Sequence, residues 1–147
     1  MAIRRVSAEE AHRLMVDDGY LYLDVRSVQE FEAGHPSGAY NVPLLHMAPD
    51  GMRPNPAFLS EVEAAFPKDR AILVGCRSGQ RSLRAGEAMA AAGYADLVDV
   101  RPGFAGTTDP FGGKQEPGWQ PSGLPIERDA QPGRSYADLS AKTKGET

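Results

Sequence analysis

The chain has 147 residues, the size of one ordinary domain and long enough to bury a core. Hydrophobic residues make up 41% and charged residues 24%, and the net charge of −4 argues against a nucleic-acid partner, which selects basic surfaces. A single cysteine excludes an intrachain disulfide, and no apolar run approaches the ~18 residues that would suggest a membrane span.

The opening MAIRRVSAEEAHRL carries no continuous apolar stretch, so no secretory signal is expected and a cytoplasmic location is. Ser7-Ala8-Glu9-Glu10 has the spacing of a capping box. Ala11, Leu14 and Met15 follow at helical spacing, which predicts a helix over 7–17 ended by Asp18-Gly19. Residues 20–26, YLYLDVR, read as a strand covered on both faces, as in a parallel sheet. Ser27-Val28-Gln29-Glu30 is a second capping box, opening a short helix that stops at Gly34.

Ala39 to Val42 predicts a short strand ended by Pro43. Asn55-Pro56 reads as an N-cap with Pro at the first helical position, and Phe58, Leu59, Val62 and Phe66 form the apolar stripe behind it. Ala71 to Val74 is a further apolar strand, and CRSGQRS follows it directly. Leu83 to Ala92 has strong helix propensity, and Leu97 to Val100 is the last convincing strand. Strands alternating with helices imply an α/β domain with a mostly parallel sheet. Glycine and proline then crowd the segment beyond Pro102, where regular structure is expected to be scarce. Phe104, Phe111 and Trp119 predict that part of this segment folds back on the domain, with Trp119 as a core plug, and the polar C-terminal end is expected to fray.

The chemistry centres on Cys76. In an open parallel sheet, ligands bind outside the carboxyl ends of the strands, where this residue falls. The next helix is expected to start near Arg81 or Ser82, and its unpaired amides and dipole favour negative charge. Gly79 lets the loop Arg77-Ser78-Gly79-Gln80 curl so that amides point inward, and Arg77, Arg81 and Arg84 add positive charge. Each effect favours a thiolate, so Cys76 is expected to be partly ionised near neutral pH. An inert buried thiol is the competing reading, but the polar neighbours do not make an apolar pocket. Phosphoryl transfer and sulfur transfer both suit such a loop. Cysteine phosphatases put one residue more between Cys and Arg than the four here, and a tighter cradle suits a sulfur atom better than a phosphate.

With these residues in place, the chain resembles a single-domain rhodanese. Leu23-Asp24-Val25-Arg26 with Glu30-Phe31 resembles the family's first signature, and Gly34-His35-Pro36-Ser37-Gly38-Ala39-Tyr40-Asn41-Val42-Pro43 its second. Cys76–Ser82 resembles the active-site loop in the form found in small bacterial and plastid members, and Gly123-Leu124-Pro125 the end of the domain. The resemblance covers roughly residues 5–126. It implies a rhodanese-like three-layer domain over 1–126, with a central five-stranded sheet, an insertion at about 102–122, and a polar tail over 127–147.

It also implies a two-step reaction without metal or organic cofactor. Cys76 takes sulfane sulfur from a small anionic donor such as thiosulfate, becomes a persulfide, and passes the sulfur to cyanide, a thiol or a protein acceptor. Arg77, Ser78, Gly79, Gln80, Arg81 and Ser82 would form the binding loop, with Arg77 holding the donor's anionic end and Arg81 closing the loop or neutralising the same charge. Asp24 and Arg26 sit near the site as supporting residues. The reading favoured for them is structural, with Arg26 paired to Glu30 or Glu32 and Asp24 anchoring a loop. His35 reads as structural, Arg84 as solvated, and His12 and His46 suggest no role. The competing functions are a cysteine phosphatase or arsenate reductase, and a non-catalytic interaction module.

Overall fold

The computed structural model describes residues 3–143. In chain order the elements are β1 (Arg4–Val6), α1 (Ala8–Asp18), β2 (Leu21–Asp24), α2 (Val28–Ala33), β3 (His35–Pro36), β4 (Tyr40–Asn41), β5 (Leu45–Ala48) and β6 (Gly51–Pro54). Then follow α3 (Phe58–Ala65), β7 (Ile72–Gly75), α4 (Gln80–Ala91), β8 (Leu97–Val100), β9 (Gly106–Thr108), β10 (Lys114–Pro117), β11 (Ile126–Glu127) and α5 (Tyr136–Thr143). Five strands make one sheet in the order β1-β8-β7-β2-β4, and every pairing in it is parallel.

Strand alternation sorts the core into two layers. Leu21, Leu23, Val25, Ile72 and Val74 pack on one face with Phe58, Val62, Phe66, Ala85, Met89 and Leu139 from α3, α4 and α5. On the other face, Tyr22, Leu73, Val98 and Val100 meet Ala8, Ala11 and Leu14 of α1, together with Phe31, Phe104 and Trp119. β2 and β7 are buried along their whole length, as a doubly covered parallel strand must be.

Local signals hold with informative exceptions. At α1, Ser7 Oγ accepts from Glu10 N–H, but the Glu10 carboxylate is taken by Arg13 and Arg4, so only half of the expected capping box forms. At α2 both halves form between Ser27 and Glu30. Asn55 does not cap α3, which starts at Phe58 without a side-chain cap. Its Oδ1 accepts from Ala57 N–H at 3.1 Å, just ahead of the helix, and its Nδ2 donates to Pro43 O and Glu61, both at 2.9 Å, because the buried Glu61 carboxylate needs donors. α4 starts at Gln80, earlier than expected, which shortens the thiol loop.

Regular structure does occur in the glycine- and proline-rich segment, where β9 and β10 form an antiparallel hairpin. The segment folds back through Phe104 and a fully buried Trp119, whose indole N–H donates to Pro125 O at 2.7 Å. Phe111 does not take part: it is 96% exposed at the hairpin turn. The stretch expected as a polar tail over 127–147 is also built into the domain as far as it is described. Leu139 is fully buried among the α3 side chains, Tyr136 donates to Glu61 at 2.7 Å, and Arg134 O accepts from Asn41 N–H at 3.0 Å. Leu139 and the partly buried Tyr136 supply the apolar contacts that dock the helix. Residues 144–147, the end of the expected frayed segment, lie outside the described residues.

Candidate functional site

β7 ends at Gly75, and the chain turns through Cys76–Gly79 into α4. The turn has one structural requirement at Gly79, where φ is +97° and an added Cβ would lie 2.2 Å from Arg101 O. From outside, the segment after β8 braces the loop. Phe104 N–H donates to Cys76 O at 2.7 Å, Ala105 N–H to Arg77 O at 2.9 Å, and Arg5 to Gly79 O at 3.4 Å. Gly103 permits this approach, since a Cβ there would meet Cys76 O at 2.5 Å.

With the Cys76, Arg77 and Gly79 carbonyls engaged by these partners, one loop amide meets the sulfur. Gly79 N–H donates to Cys76 Sγ at 3.1 Å. The amides of Arg77, Ser78, Gln80 and Arg81 have no acceptor among the described residues. They lie beside the positive end of the 12-residue α4, so the loop can serve as a cradle for an anion at the sulfur.

Cys76 itself is 2% exposed, while Arg77, Ser78 and Gln80 are exposed and Arg81 is half-buried. The thiol is thus buried within the apolar cluster of Leu23, Val25, Val74 and Ala85, with Gly79 N–H and Ser82 Oγ as its polar partners. Beneath it, Ser82 Oγ lies 3.4 Å from Cys76 Sγ and donates to Asp99 Oδ1. The other Asp99 oxygen accepts from Arg5 Nε at 2.7 Å.

The two loop arginines have separate roles. Arg81 makes a bidentate pair with Glu30, at 2.7 and 3.0 Å, and so clamps the start of α4 to α2. Arg77 makes no ion pair among the described residues and lines a cavity of about 410 Å³ with Glu30, Arg81, Leu45, Met47 and Met52. On its other side, Arg77 and Ser78 face a cavity of about 370 Å³ walled by the β9–β10 hairpin. Arg84 is exposed, as a solvated side chain.

Burial pulls the Glu30 carboxyl upward, but the Arg81 guanidinium and the Ser27 amide and hydroxyl outweigh it and hold the group at about 2. A carboxyl lowered on folding adds stability that is complete above its unfolded pKa and vanishes as pH falls to the folded value. The clamp is therefore lost between about pH 4.5 and about 2. Glu30→Gln should remove on the order of 2 kcal/mol at neutral pH, allowing for screening of a partly exposed pair, and flatten the acid limb of urea midpoints plotted against pH. An acid limb identical to wild type would show that the clamp adds no stability.

Asp24 and Arg26 form a buried pair with each other at 2.8 Å. This corrects the expected partners of Arg26: Glu30 is committed to Arg81, and Glu32 is exposed. Arg26 also donates to Gly34 O at 2.7 Å and lies 4.4 Å from the Phe104 ring centroid. The two residues brace the site from below and do not line its mouth. His35 is structural as expected: it is fully buried, stacked on Phe31, and engaged through Nδ1 with Phe31 O and through Nε2 with Glu127. His12 packs edge-on against Trp119, and His46 packs against Tyr136.

Asp99, Arg5 and the β5–β6 hairpin belong to this site without having been singled out for it from the sequence, and Glu30 was expected as a partner of Arg26 and not of Arg81. Asp99 alone carries a visible signal, as a charge inside the otherwise apolar strand LVDV.

A family model described as Rhodanese-like domain matches residues 7–109. The chain is 40% identical over 122 residues to "Thiosulfate sulfurtransferase 16, chloroplastic" of Arabidopsis thaliana, covering 83% of this chain and 91% of that protein. It is 41% identical over 97 residues to "Senescence-associated protein DIN1" of Raphanus sativus, covering 66% of this chain but only 53% of that one, so the chain spans about half the length of this relative. Among solved structures, Rv0390 from M. tuberculosis superposes with a TM-score of 0.74 at 27% identity, covering 88% of this chain and 100% of that one.

Proposed function

This chain belongs to the rhodanese-like family, and from that premise we propose that it is a sulfurtransferase whose Cys76 carries sulfane sulfur as a persulfide from a small anionic donor to a nucleophilic acceptor. The observation that carries the reading is the cradle: Gly79 N–H on Cys76 Sγ, with neighbouring amides left without acceptors. A donor such as thiosulfate suits it. The Cys76 thiolate attacks the sulfane sulfur and an S–S bond forms. The bond to the sulfonate sulfur breaks, and sulfite leaves with the bonding pair. The cradle stabilises the charge on the terminal sulfur of the persulfide as an oxyanion hole stabilises a developing oxyanion. An acceptor thiolate or cyanide then attacks that outer sulfur, and Cys76 departs as a thiolate.

The pairing of Arg81 with Glu30 weighs against the phosphatase alternative, because that arginine would be needed on the phosphate. The cysteine in an intact loop weighs against a purely non-catalytic module. The test is intact-protein mass after incubation with thiosulfate, 3-mercaptopyruvate or a persulfide donor. Gain of one sulfur atom at Cys76, lost on adding cyanide or a thiol, is expected. No uptake from any donor, or turnover of phosphate or arsenate substrates exceeding sulfur transfer, would overturn the reading.

Arg77, which lines the mouth and makes no ion pair among the described residues, is assigned to the donor's anionic end. Arg77→Ala should raise KM for thiosulfate about tenfold, the effect of losing one solvent-screened charged contact, with little change in kcat. Unchanged thiosulfate kinetics would remove Arg77 from donor binding.

A further inference from the structure

A cavity of about 520 Å³ lies between α2, the end of β4 and the start of α5, and no residue of the Cys76 loop lines it. Its volume is that of a small-molecule site. Asn41 belongs to the lining and is 1% exposed. Its Nδ2 is committed to Asp24 O and Arg26 O, both at 3.0 Å. Its Oδ1 is buried and accepts from no donor among the described residues. A buried acceptor left without a donor is costly, so a ligand N–H that reaches it gains more than it would at the surface.

The opening turn of α5 is tied to the same residue, because Asn41 N–H donates to Arg134 O at 3.0 Å. Ser135 Oγ caps the helix by accepting from Asp138 N–H at 3.1 Å. The amides of Tyr136 and Ala137, both lining residues, have no acceptor among the described residues. They form the positive end of an eight-residue helix. Arg128, Asp129 and Glu32 also line the cavity, all three exposed and none in an ion pair among the described residues. Val28 and Phe31 of α2 supply an apolar wall.

The cavity therefore offers one buried acceptor and two carboxylates to a cation, and two amides and a guanidinium to an anion. A simple anion would leave Asn41 Oδ1 unmatched and would face two carboxylates. A simple cation would leave the α5 amides and Arg128 unmatched. One small molecule that carries both charges on neighbouring atoms, beside an apolar group, matches all of them. We propose that this cavity binds a free α-amino acid with an apolar side chain. Its ammonium donates to Asn41 Oδ1 and faces Asp129 and Glu32. Its carboxylate accepts from the amides of Tyr136 and Ala137 and pairs with Arg128, and its side chain packs on Val28 and Phe31. The inference does not depend on the chemistry assigned to Cys76.

The test is amide NMR of the full chain, titrated with L-leucine, with L-leucinamide, which lacks the carboxylate, and with isocaproate, which lacks the ammonium. Leucine should bind saturably and move the backbone signals of Tyr136 and Ala137 and the side-chain amide of Asn41. Each analogue should bind at least about tenfold more weakly, as expected for loss of one charged contact. Asn41 is too deeply bonded to serve as a clean variant, so the exposed charges are substituted instead. Arg128→Ala should weaken leucine about tenfold without weakening leucinamide. Asp129→Asn combined with Glu32→Gln should weaken leucine without weakening isocaproate. No saturable binding up to about 20 mM, equal affinity for leucine and either analogue, or shifts confined to residues outside the cavity would each overturn the proposal.

Discussion

Cys76→Ser should fold normally and transfer no sulfur. The substitution replaces sulfur by oxygen at a site that is already polar on both sides, with Gly79 N–H above and Ser82 Oγ below. A hydroxyl can accept from that amide and donate to that serine, so no buried partner is orphaned and stability should change by less than about 1 kcal/mol. Chemistry is another matter. A serine hydroxyl is far less acidic than a thiol and has no adjacent imidazole to activate it, so it neither attacks sulfane sulfur nor leaves in the second step. Turnover of thiosulfate with cyanide should fall by at least about 10⁴-fold, as expected when a covalent nucleophile is lost. The intact mass should not change on incubation with any donor. A sulfur adduct persisting in Cys76→Ser would place the carrier elsewhere and undo the assignment.

The parts of this site differ in how readable they were, and the difference has physical causes. The loop and its two flanking elements were legible because each has a local cause. A continuous apolar run marks β7, helix formers mark α4, and a glycine with positive φ stands between them. The second capping box was also legible, since its hydrogen bonds close within four residues. The clamp between Arg81 and Glu30 was not, because it spans 51 positions and nothing local requires it. The bracing of the loop by Phe104 and Ala105 depends on Gly103, a glycine that in sequence merges into a glycine- and proline-rich stretch.

Weak local signals hid other parts. Leu45-His46-Met47-Ala48 and Gly51-Met52-Arg53-Pro54 have no clear alternation, and Pro54 argues against a strand. They pair as an antiparallel hairpin all the same, with Met47 opposite Met52 and both partly exposed at the mouth. β1 has only Val6 as an inward residue, and its strand character comes from pairing with β8. Asp99 shows the opposite case. A carboxylate in an apolar strand violates the local pattern, and such a violation points to a partner; here the partners are Ser82 and Arg5.

Asp24→Ala should be the most destabilising of the substitutions considered, because it leaves Arg26 charged and unpaired in the interior. Asp24 and Arg26 are 1% and 4% exposed. The Asp24 carboxylate accepts from Arg26 Nε at 3.0 and 3.1 Å, Nη2 at 2.8 Å and the Arg26 amide at 3.0 Å. Removing one member of a buried pair typically destabilises by about 3–5 kcal/mol, a large share of a single domain's stability. Removing both is far milder, because the desolvation of two charges disappears along with their attraction. Asp24→Ala combined with Arg26→Met should therefore be more stable than Asp24→Ala alone, with a residual deficit of about 1–3 kcal/mol from the Arg26 amide and Gly34 carbonyl that lose their partners. The consequence for function follows from register: Asp24 lies directly opposite Gly75, the residue before Cys76. Slack at the end of β2 is therefore passed to the thiol loop, and sulfur transfer by folded Asp24→Ala should fall, though far less than in Cys76→Ser. Urea denaturation of the single and double variants checks the energetic claim. A single variant within about 1 kcal/mol of wild type, or a double variant no more stable than the single, would show that the pair is not the buried brace its geometry indicates.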